Sequence, residues 1–295
     1  MSTTARYSIR DLEKLSGIKA HTIRIWEKRY DIIKPSRTNA NIRFYSNDDL
    51  RHILNISLLN KNGYKISAIA GMSDADIAGH MSTVTLTGDG TEAVQENLLL
   101  SLIEMNEAMF NHAFMSILLK MGFEKAFINV IFPFFEKIGV MWQTGSINPA
   151  QEHFFSNLIR QKIIAATDAV KTSEFGAGQL VLLLLPENEL HEIGLLFYNY
   201  AFKIRGYRTI YLGQSVPLES LPLVAETCKP DVVVTGMTTS LNALSLPDYA
   251  HLLRKALPGI PVYFTGRLIT GKISDFGKNF YSVADLVSLL QKSAA

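Results

Sequence analysis

The residues best suited to chemistry lie in the stretch Glu189-Leu-His-Glu-Ile-Gly194. A histidine here can present one ring nitrogen to a metal, while an acid two residues earlier binds the other nitrogen and fixes the tautomer. A glycine three residues after the histidine leaves room for a flat ligand against the backbone. Glu189, His191 and Gly194 are therefore candidate residues of a metal or cofactor site. The alternative is a histidine that caps a helix or lies on its surface.

A second candidate group lies upstream, where Trp142 is followed after nine residues by Glu152 and His153. Asn148 and Pro149 suit the N-cap and first position of a helix, which places the Glu-His pair in its first turns. The positive end of the helix favours a charged Glu152 and a neutral imidazole, the form that binds metals. The alternative is a core tryptophan and a Glu-His pair on ordinary helix surface.

Positive charge is concentrated in the first quarter of the chain. Residues 1–75 contain 13 Lys and Arg against 7 Asp and Glu, whereas the remainder contains 16 against 20. This distribution indicates a nucleic-acid-binding head, with a solvated helical surface as the alternative. The single Cys228 excludes internal disulfides and cysteine-rich metal sites. Because Met1–Arg10 is polar and the apolar runs are short, we expect a cytoplasmic protein without a membrane span.

Two short helices around Gly17 predict a helix-turn-helix. Ser8 suits the N-cap of the first helix, and the second covers Ala20–Arg29 with Ile23 and Trp26 facing the core. Two extended segments around a polar tip then predict a β-hairpin wing. The side chains offered to a DNA groove and its phosphates are His21, Thr22, Arg24 and Lys28 on the second helix, and Arg37, Arg43 and Tyr45 on the wing.

Helical periodicity in the middle of the chain predicts a four-helix antiparallel bundle over residues 90–171. The predicted helices are Glu92–Glu104, Glu107–Met121, Glu124–Trp142 with a kink at Pro133, and a fourth from Pro149 to about Val170. Residues 74–91 are predicted to be a linker.

Strands and helices alternate over residues 177–295, which predicts a doubly wound parallel sheet of the Rossmann-like type. The predicted strands are Leu180–Leu185, Arg208–Gly213, Asp231–Gly236 and Pro261–Gly266, with helices at 194–204, 218–228, 246–257 and 285–292. The Glu189–Gly194 motif then lies at the carboxyl end of the first strand, where open α/β sheets bind ligands. Hydroxyls after the third strand reach the same edge, from Thr238, Thr239 and Ser240.

The head resembles the winged helix-turn-helix of the MerR family. The resemblance rests on Tyr7-Ser-Ile, Thr22–Arg29, Pro35-x-Arg37, Arg43-Phe-Tyr45 and Gly63-Tyr64. It implies that the helix with Trp26-Glu27-x-Arg29 enters the groove of double-stranded operator DNA while the wing holds the backbone. Unlike many relatives with this head, the chain has no long coiled coil after it.

The other motifs resemble the B12-dependent photoreceptor repressors of the CarH and LitR type. Glu189-x-His191-x-x-Gly194 is similar to the cobalt-binding loop Asp-x-His-x-x-Gly, and Trp-x9-Glu-His is similar to the bundle that covers the cofactor's adenosyl face. The resemblance implies adenosylcobalamin, with His191 as the lower cobalt ligand oriented by Glu189. It also implies contacts of Trp142 with the adenosyl group, of Glu152 with its sugar, and of Gly194, Thr238, Ser240 and Gly266 with the corrin or its nucleotide tail. His153 could bind cobalt once the adenosyl group has left.

One departure from the family lies after the fourth strand, where Gly266-Arg267 replaces the usual Gly-Gly pair. Arg267 could face solvent, bind the phosphate of the tail, or fill the tail's channel and abolish binding.

The resulting prediction is a multidomain transcriptional regulator and not an enzyme, with a winged helix-turn-helix at 1–75, a four-helix bundle at 90–171 and a Rossmann-like domain at 177–295. The resemblance implies a homo-oligomer that represses in the dark and dissociates in light. One alternative is a regulator of the same architecture that has lost cobalamin and responds to a protein partner. The other is a corrinoid methyl-transfer module, an enzyme component.

Overall fold

The computed structural model describes residues 7–38, 41–73, 75–77, 79–80, 91–143, 147–171, 179–238, 245–268 and 279–282. The chain divides into two compact units, Met1–Phe155 and Ser156–Ala295. The division falls inside one helix, Pro149–Asp168. Most of the predicted linker 74–91 and the predicted helix 285–292 lie outside the described residues.

The first unit begins with the predicted helix-turn-helix and wing. Its elements are α1 (Ile9–Ser16), α2 (Ala20–Tyr30), β1 (Ser36–Arg37), β2 (Arg43–Phe44), α3 (Asn47–Lys61) and α4 (Ile66–Ile69). Ser8 caps α1 in a reciprocal capping box with Asp11, and Gly17 ends the helix in the left-handed conformation, with φ +74°. Ile23 and Trp26 are buried, as their spacing predicts. Strands β1 and β2 pair antiparallel, which confirms the wing.

Helices also build the rest of the first unit. They are α5 (Thr91–Glu104), α6 (Glu107–Met121), α7 (Phe123–Ala126), a π-helical segment (Phe127–Ile131), α8 (Phe132–Gln143) and the first turns of α9 (Pro149–Asp168). The sequence predicted a kink at Pro133, and the structure has the π-helical segment directly before it. There the Phe132 amide bonds to the carbonyl of Phe127, five residues back. A π-bulge is one way in which a helix accommodates a local break in its hydrogen-bond ladder.

Aromatic rings fill the core between these helices. The ring of Phe155 in α9 packs edge to face on that of Phe110 in α6, with 5.5 Å between the ring centroids, and its centroid lies 5.0 Å from that of Phe134 in α8. Asn148 and Gln151 cap α9 reciprocally, as predicted, with both bonds at 3.0 Å. The Gln151 side chain also donates to the carbonyl of Ile103 at 2.9 Å, so the cap is joined to α5.

The second unit contains a five-stranded parallel sheet in the order β4-β3-β5-β6-β7, which confirms the predicted doubly wound fold. Its elements after α9 are β3 (Leu180–Pro186), α10 (Ile193–Lys203), β4 (Arg208–Val216), a 3-10 turn (Leu218–Ser220), α11 (Leu221–Cys228), β5 (Val232–Gly236), α12 (Leu246–Ala256), β6 (Val262–Thr265) and β7 (Phe280–Tyr281).

Strand β3 is the centre of the second unit, and each of its residues is buried. Alternate side chains point to opposite faces of a strand. Val181 and Leu183 therefore join the core that includes Phe202 of α10, whereas Leu182 joins the core that includes Leu253 of α12. Helical cover on both faces explains why the sequence of β3 is a continuous apolar run.

Two strand predictions need correction. The second predicted strand does not end at Gly213, because β4 continues to Val216 through a bulge at which Gly213 has φ +80°. Glycine often ends a strand, but here its freedom at positive φ lets the strand shift register and continue. The fifth strand, β7, was not predicted; at two residues, it is too short to produce a hydrophobic period.

Candidate functional site

The Glu189–Gly194 motif lies at the topological switch point of the sheet. Strand β3 is flanked by β4, which follows it in the chain, and by β5, which comes after β4. The connections leaving β3 and β5 therefore diverge to opposite faces, and a crevice forms at their carboxyl ends where such sheets bind ligands. Glu189 follows β3 and Thr238 follows β5, so both belong to this crevice.

Glu189 holds His191 in one ring orientation. The Glu189 side chain is fully buried, and its Oε1 lies 2.6 Å from Nδ1 of His191 and 3.0 Å from the backbone nitrogen of the same residue. A carboxylate accepts hydrogen bonds, so this contact places the imidazole proton on Nδ1 and leaves the lone pair on Nε2. The His191 side chain is 55% exposed. An oriented and accessible imidazole of this kind is what a metal ligand requires.

The other carboxylate oxygen joins the motif to β5. Oε2 of Glu189 accepts from the backbone amide of Thr238 at 2.7 Å. On the opposite side, the Ser215 amide at the end of β4 donates to the Glu189 carbonyl at 3.3 Å, and the Gln214 side chain donates to the Leu190 carbonyl at 2.7 Å. The loop is thus bonded to the end of β4 and to the loop after β5, and the buried carboxylate of Glu189 accepts from both His191 and Thr238.

The glycines of the candidate site have two different roles. A Cβ on Gly194, in the first turn of α10, would meet no atom of the described residues within 4 Å beyond its own helix backbone and chain neighbours, so these residues leave the space beside it open. A Cβ on Gly266 would lie 2.4 Å from the Met237 carbonyl, and Gly266 has φ +101°. Gly266 is therefore required by the close approach of two backbone segments, whatever ligand lies nearby. Arg267 is exposed, and Ser240 lies outside the described residues.

The first unit carries the second candidate group. Trp142 lies near the end of α8 and is 53% exposed, which contradicts the alternative that it is a core residue. Glu152 and His153 occupy the first turn of α9, with Oε2 of Glu152 at 2.9 Å from Nδ1 of His153. A half-exposed tryptophan offers a large apolar surface to a partner or ligand. His153 is 72% exposed, so this pair is a surface feature of its helix.

The sequence analysis assigned no role to Glu192, the second acid within the Glu189–Gly194 motif. Glu192 is buried, its Oε2 accepts from the Tyr211 hydroxyl at 2.7 Å, and its Oε1 forms an ion pair with Arg160. From the sequence alone, Glu192 is only an acid at the start of an apolar helix, and nothing in that position shows that it is buried. Its partners lie 19 and 32 positions away, so no local pattern could have identified them.

The candidate DNA-binding side chains of α2 lie on one exposed surface. His21, Arg24 and Lys28 are exposed, whereas Thr22 is half-buried. Cationic side chains on a helix that follows a tight turn suit the phosphates and base edges of a major groove.

Glu27, which the sequence analysis gave no structural role of its own, joins this helix to the wing. Its Oε1 lies 3.5 Å from Nε of Arg43, and its Oε2 accepts from the Tyr45 hydroxyl at 3.4 Å. Arg37 is exposed and donates to the Asn41 side chain at 2.6 Å. Tyr45 is fully buried, and burial, followed by the charge of Glu27, raises its pKa to about 12. Tyr45 therefore packs inside the head, where its side chain is closed off from a DNA surface.

The described residues also limit the kinds of metal site and membrane segment that they could form. Within them, no group of three or more His, Cys, Asp or Glu side chains could hold a metal ion by protein ligands alone. No helix among the same residues is long and apolar enough to cross a bilayer.

Comparisons with known proteins match this arrangement. Residues 7–76 match the family described as MerR HTH family regulatory protein, and residues 94–166 match the B12 binding domain family. The HTH-type transcriptional repressor CarH of Myxococcus xanthus is 30% identical over 268 residues, which cover 88% of each chain. The repressor CarA of the same organism is 26% identical over 251 residues, 84% of this chain and 81% of CarA.

A solved structure has a similar fold over much of the chain. The monomethylamine corrinoid protein of Methanosarcina barkeri superposes with a TM-score of 0.54 at 16% identity. The match covers 68% of this chain and 99% of the corrinoid protein. At that identity the likeness concerns the fold alone.

Fold and site together define a DNA-binding regulator with a B12-binding region. The chain belongs to the MerR-type transcriptional regulators with such a region, the family of the CarH repressor. This membership confirms the prediction of a regulator and not an enzyme.

Proposed function

We propose that this chain is a transcriptional regulator that binds adenosylcobalamin, represses its operator in the dark and releases it in light. The observation that carries the proposal is the contact of 2.6 Å between fully buried Glu189 and Nδ1 of His191, which directs Nε2 outward. The residues present fit the cofactor. An axial ligand, an ionic partner that fixes it and an open space at Gly194 occur together at the switch point.

In this proposal His191 would hold the cobalt of the cofactor, and Thr238 and Gly266 would lie beside its nucleotide tail. Trp142 would contact the adenosyl group with its exposed ring, and Glu152 would bond the sugar. Adenosylcobalamin supplies a cobalt–carbon bond that green light cleaves. His153 would occupy the upper position once the adenosyl group has left, because its side chain is exposed on the first turn of α9.

The proposed output is DNA binding by the head. Arg24 and Lys28 on α2 and Arg37 and Arg43 on the wing would contact the groove and phosphates. We expect the dark, cofactor-bound form to be a homo-oligomer, because binding of two half-sites by helix-turn-helix proteins requires at least a dimer.

The cofactor test is the visible spectrum of the purified chain with adenosylcobalamin, kept dark and then exposed to green light. We expect a base-off, His-on spectrum in the dark and a permanent change after illumination. Light scattering on the same samples should show a larger dark assembly than the illuminated one. A chain that leaves adenosylcobalamin in its free, base-on form would contradict the proposal.

The DNA test uses an operator selected by the dark, loaded chain from random duplexes. Arg24→Ala and Lys28→Ala should each weaken binding and reduce the slope of log K against log salt by about 1, because each removes one phosphate contact. Lys125→Ala is the matched control, since it removes one exposed positive charge from the bundle. Equal affinities in all four proteins would exclude α2 as the DNA-binding helix.

Arg267 supports the second candidate function, a regulator of this architecture without cobalamin. If the wild type takes up none, Arg267→Gly should restore uptake where the arginine alone fills the tail's channel. Failure of both proteins to bind would exclude the cofactor.

A further inference from the structure

Glu192, a buried acid next to the proposed ligand His191, has no role in the cofactor site proposed above. Glu192 follows His191 directly and lies at the N-cap of α10, with 4% of its surface exposed. Its partners come from two other elements, Tyr211 of β4 and Arg160 of α9. We call Glu192, Arg160 and Tyr211 the Glu192 cluster.

The partners of Glu192 are what make its burial tolerable. An ionised carboxylate without hydrogen bonds or an opposite charge is costly to bury. The Tyr211 hydroxyl donates to Oε2 at 2.7 Å, and Arg160 faces Oε1 as an ion pair without an aligned hydrogen bond. Burial, and then the bond to Glu192, raises the pKa of the Tyr211 hydroxyl, so it stays a donor. Moving the carboxylate away would break both contacts at once.

The backbone of β4 is shaped to admit this cluster. Gly213 has φ +80° at the bulge, and a Cβ there would lie 3.2 Å from the Tyr211 ring and 3.7 Å from Oε2 of Glu192. The next residue, Gln214, donates from its side chain to the Leu190 carbonyl at 2.7 Å. The bulge thus affects both chain neighbours of His191. It makes room for the Glu192 side chain, and Gln214 beside it donates to the Leu190 carbonyl.

We propose that Glu192 is a positioning residue for His191, which fixes the backbone of the ligand loop against α9 and β4 through Arg160 and Tyr211. This inference rests on the proposed function, in which His191 binds cobalt. Glu189 and Glu192 then have separate tasks. Glu189 orients the imidazole ring, whereas Glu192 holds the main chain from which that ring projects.

This division of tasks has a consequence for helix α9. The helix carries Arg160 two turns after His153, at about 1.5 Å of rise per residue. Because Arg160 neutralises Glu192, a displacement of α9 at this point costs the loop its charge partner. The position of the helix and the conformation of the ligand loop are therefore energetically linked.

The test compares three variants of the full chain with two matched controls. Glu192→Gln removes the charge but keeps the size, Arg160→Gln removes the opposite charge, and Tyr211→Phe removes one hydroxyl. Glu187→Gln and Arg208→Gln are the controls, since each removes the same charge from an exposed position in the same unit. Circular dichroism identifies any variant that fails to fold, and Tyr211→Phe is the mildest of the three.

The first measurement needs no cofactor. Amide hydrogen exchange of peptides covering residues 187–193 should be about 3- to 10-fold faster in the three variants than in the wild type, and unchanged in the controls. The Glu192→Gln/Arg160→Gln double variant should exchange no faster than either single variant, because the two residues act as one unit.

The second measurement is the spectrum with adenosylcobalamin in the dark. We expect the three variants to need about 3- to 10-fold more cofactor than the wild type to reach the same His-on fraction. A change in loop exchange without a change in His-on fraction would overturn the positioning role, as would exchange equal to that of the controls. If wild type and His191→Ala gave the same spectrum, the proposed function would fail instead, which is a distinct outcome.

Discussion

Two Glu–His pairs in this chain have similar contacts but different surroundings. In the second unit, Glu189 is fully buried and lies 2.6 Å from Nδ1 of His191. In the first unit, Glu152 is 31% exposed and lies 2.9 Å from Nδ1 of His153. Both contacts leave Nε2 as the outer nitrogen, so ring chemistry alone does not distinguish the pairs.

The difference lies in what holds each acid. Glu189 receives three hydrogen bonds, one of them from the Thr238 amide on another strand's loop, so its position is set by the sheet. Glu152 belongs to an exposed helical turn, where a charge pair contributes about 0–1 kcal/mol and is screened by salt. A preorganised ligand loses less conformational entropy on binding its metal. The first pair should therefore determine cofactor binding, and the second should affect mainly the state reached after illumination.

Replacing the histidines should give the largest contrast. His191→Ala should raise the Kd for adenosylcobalamin more than about 100-fold and abolish the His-on spectrum, a larger effect than loss of a ligand's hydrogen-bonding partner. His153→Ala should leave dark binding within about twofold, as expected for an exposed side chain, and should change only the spectrum after illumination. Titration in the dark followed by green light measures both. Equal losses in the two variants would remove the distinction between the pairs.

Replacing the acids should give a smaller contrast in the same direction. Glu189→Gln should weaken cofactor binding about 10- to 100-fold, because an amide can no longer act as acceptor to every donor around it. Glu152→Gln should weaken dark binding much less, at most by the hydrogen bond to the adenosyl sugar. Affinity for adenosylcobalamin and for hydroxocobalamin, measured side by side, separates the two cases. A larger effect from Glu152 than from Glu189 would reverse the proposed roles.

A substitution at Gly194, in the open space beside the first pair, should lower cofactor affinity but raise the stability of the unloaded chain. Gly194→Ala adds a methyl group where, outside its own helix, no atom of the described residues lies within 4 Å, and alanine is favoured over glycine in a helix by about 1 kcal/mol. The unloaded chain should become slightly more stable, while cofactor affinity should fall about 10-fold if the space belongs to the ligand. Unchanged affinity would mean that the cofactor does not approach this turn.

Glu96 shows how burial changes the pKa of a carboxyl group that has fewer hydrogen-bond donors than Glu189. Glu96 of α5 is buried, with Lys61 at 3.9 Å from Oε1 and, among the residues that the structure describes, no hydrogen-bond partner on Oε2. Burial raises its pKa from 4.5 to about 7, against the opposing charges of Lys61 and Lys137. The folded state thus holds this proton more tightly than the unfolded state. The contribution of Glu96 to stability is present at low pH, falls as pH rises from 4.5 to 7, and is level above that range.

A pH dependence of unfolding follows from this sign. The wild type should lose about 1–3 kcal/mol of stability over that pH range relative to Glu96→Gln, which has no proton to lose. Both tryptophans, Trp26 and Trp142, lie in the first unit, so urea unfolding followed by tryptophan fluorescence reports on it. Glu107→Gln, an exposed acid of α6, is the control. A wild type with the same pH dependence as Glu96→Gln would mean that Glu96 is charged throughout.

Local patterns in the sequence determined the elements and the order of the candidate motifs. The capping boxes at Ser8 and Asn148 and the buried run of β3 predicted where helices and strands begin, because each depends on residues a few positions apart. The acid two residues before His191 was sufficient to predict the orienting contact for the same reason. A pair at that spacing can meet without help from the rest of the chain.

Only the tertiary structure decided which distant groups complete these motifs. Thr238 reaches Glu189 from 49 positions away because the sheet order places β5 beside β3. The same register brings Tyr211 and the bulge at Gly213 to Glu192, and it turned a predicted strand end into the middle of β4. Tyr45, whose type suits phosphate contact, is instead buried against Glu27. These contacts depend on long-range packing, and no periodicity in the sequence encodes which residues a crossover brings together.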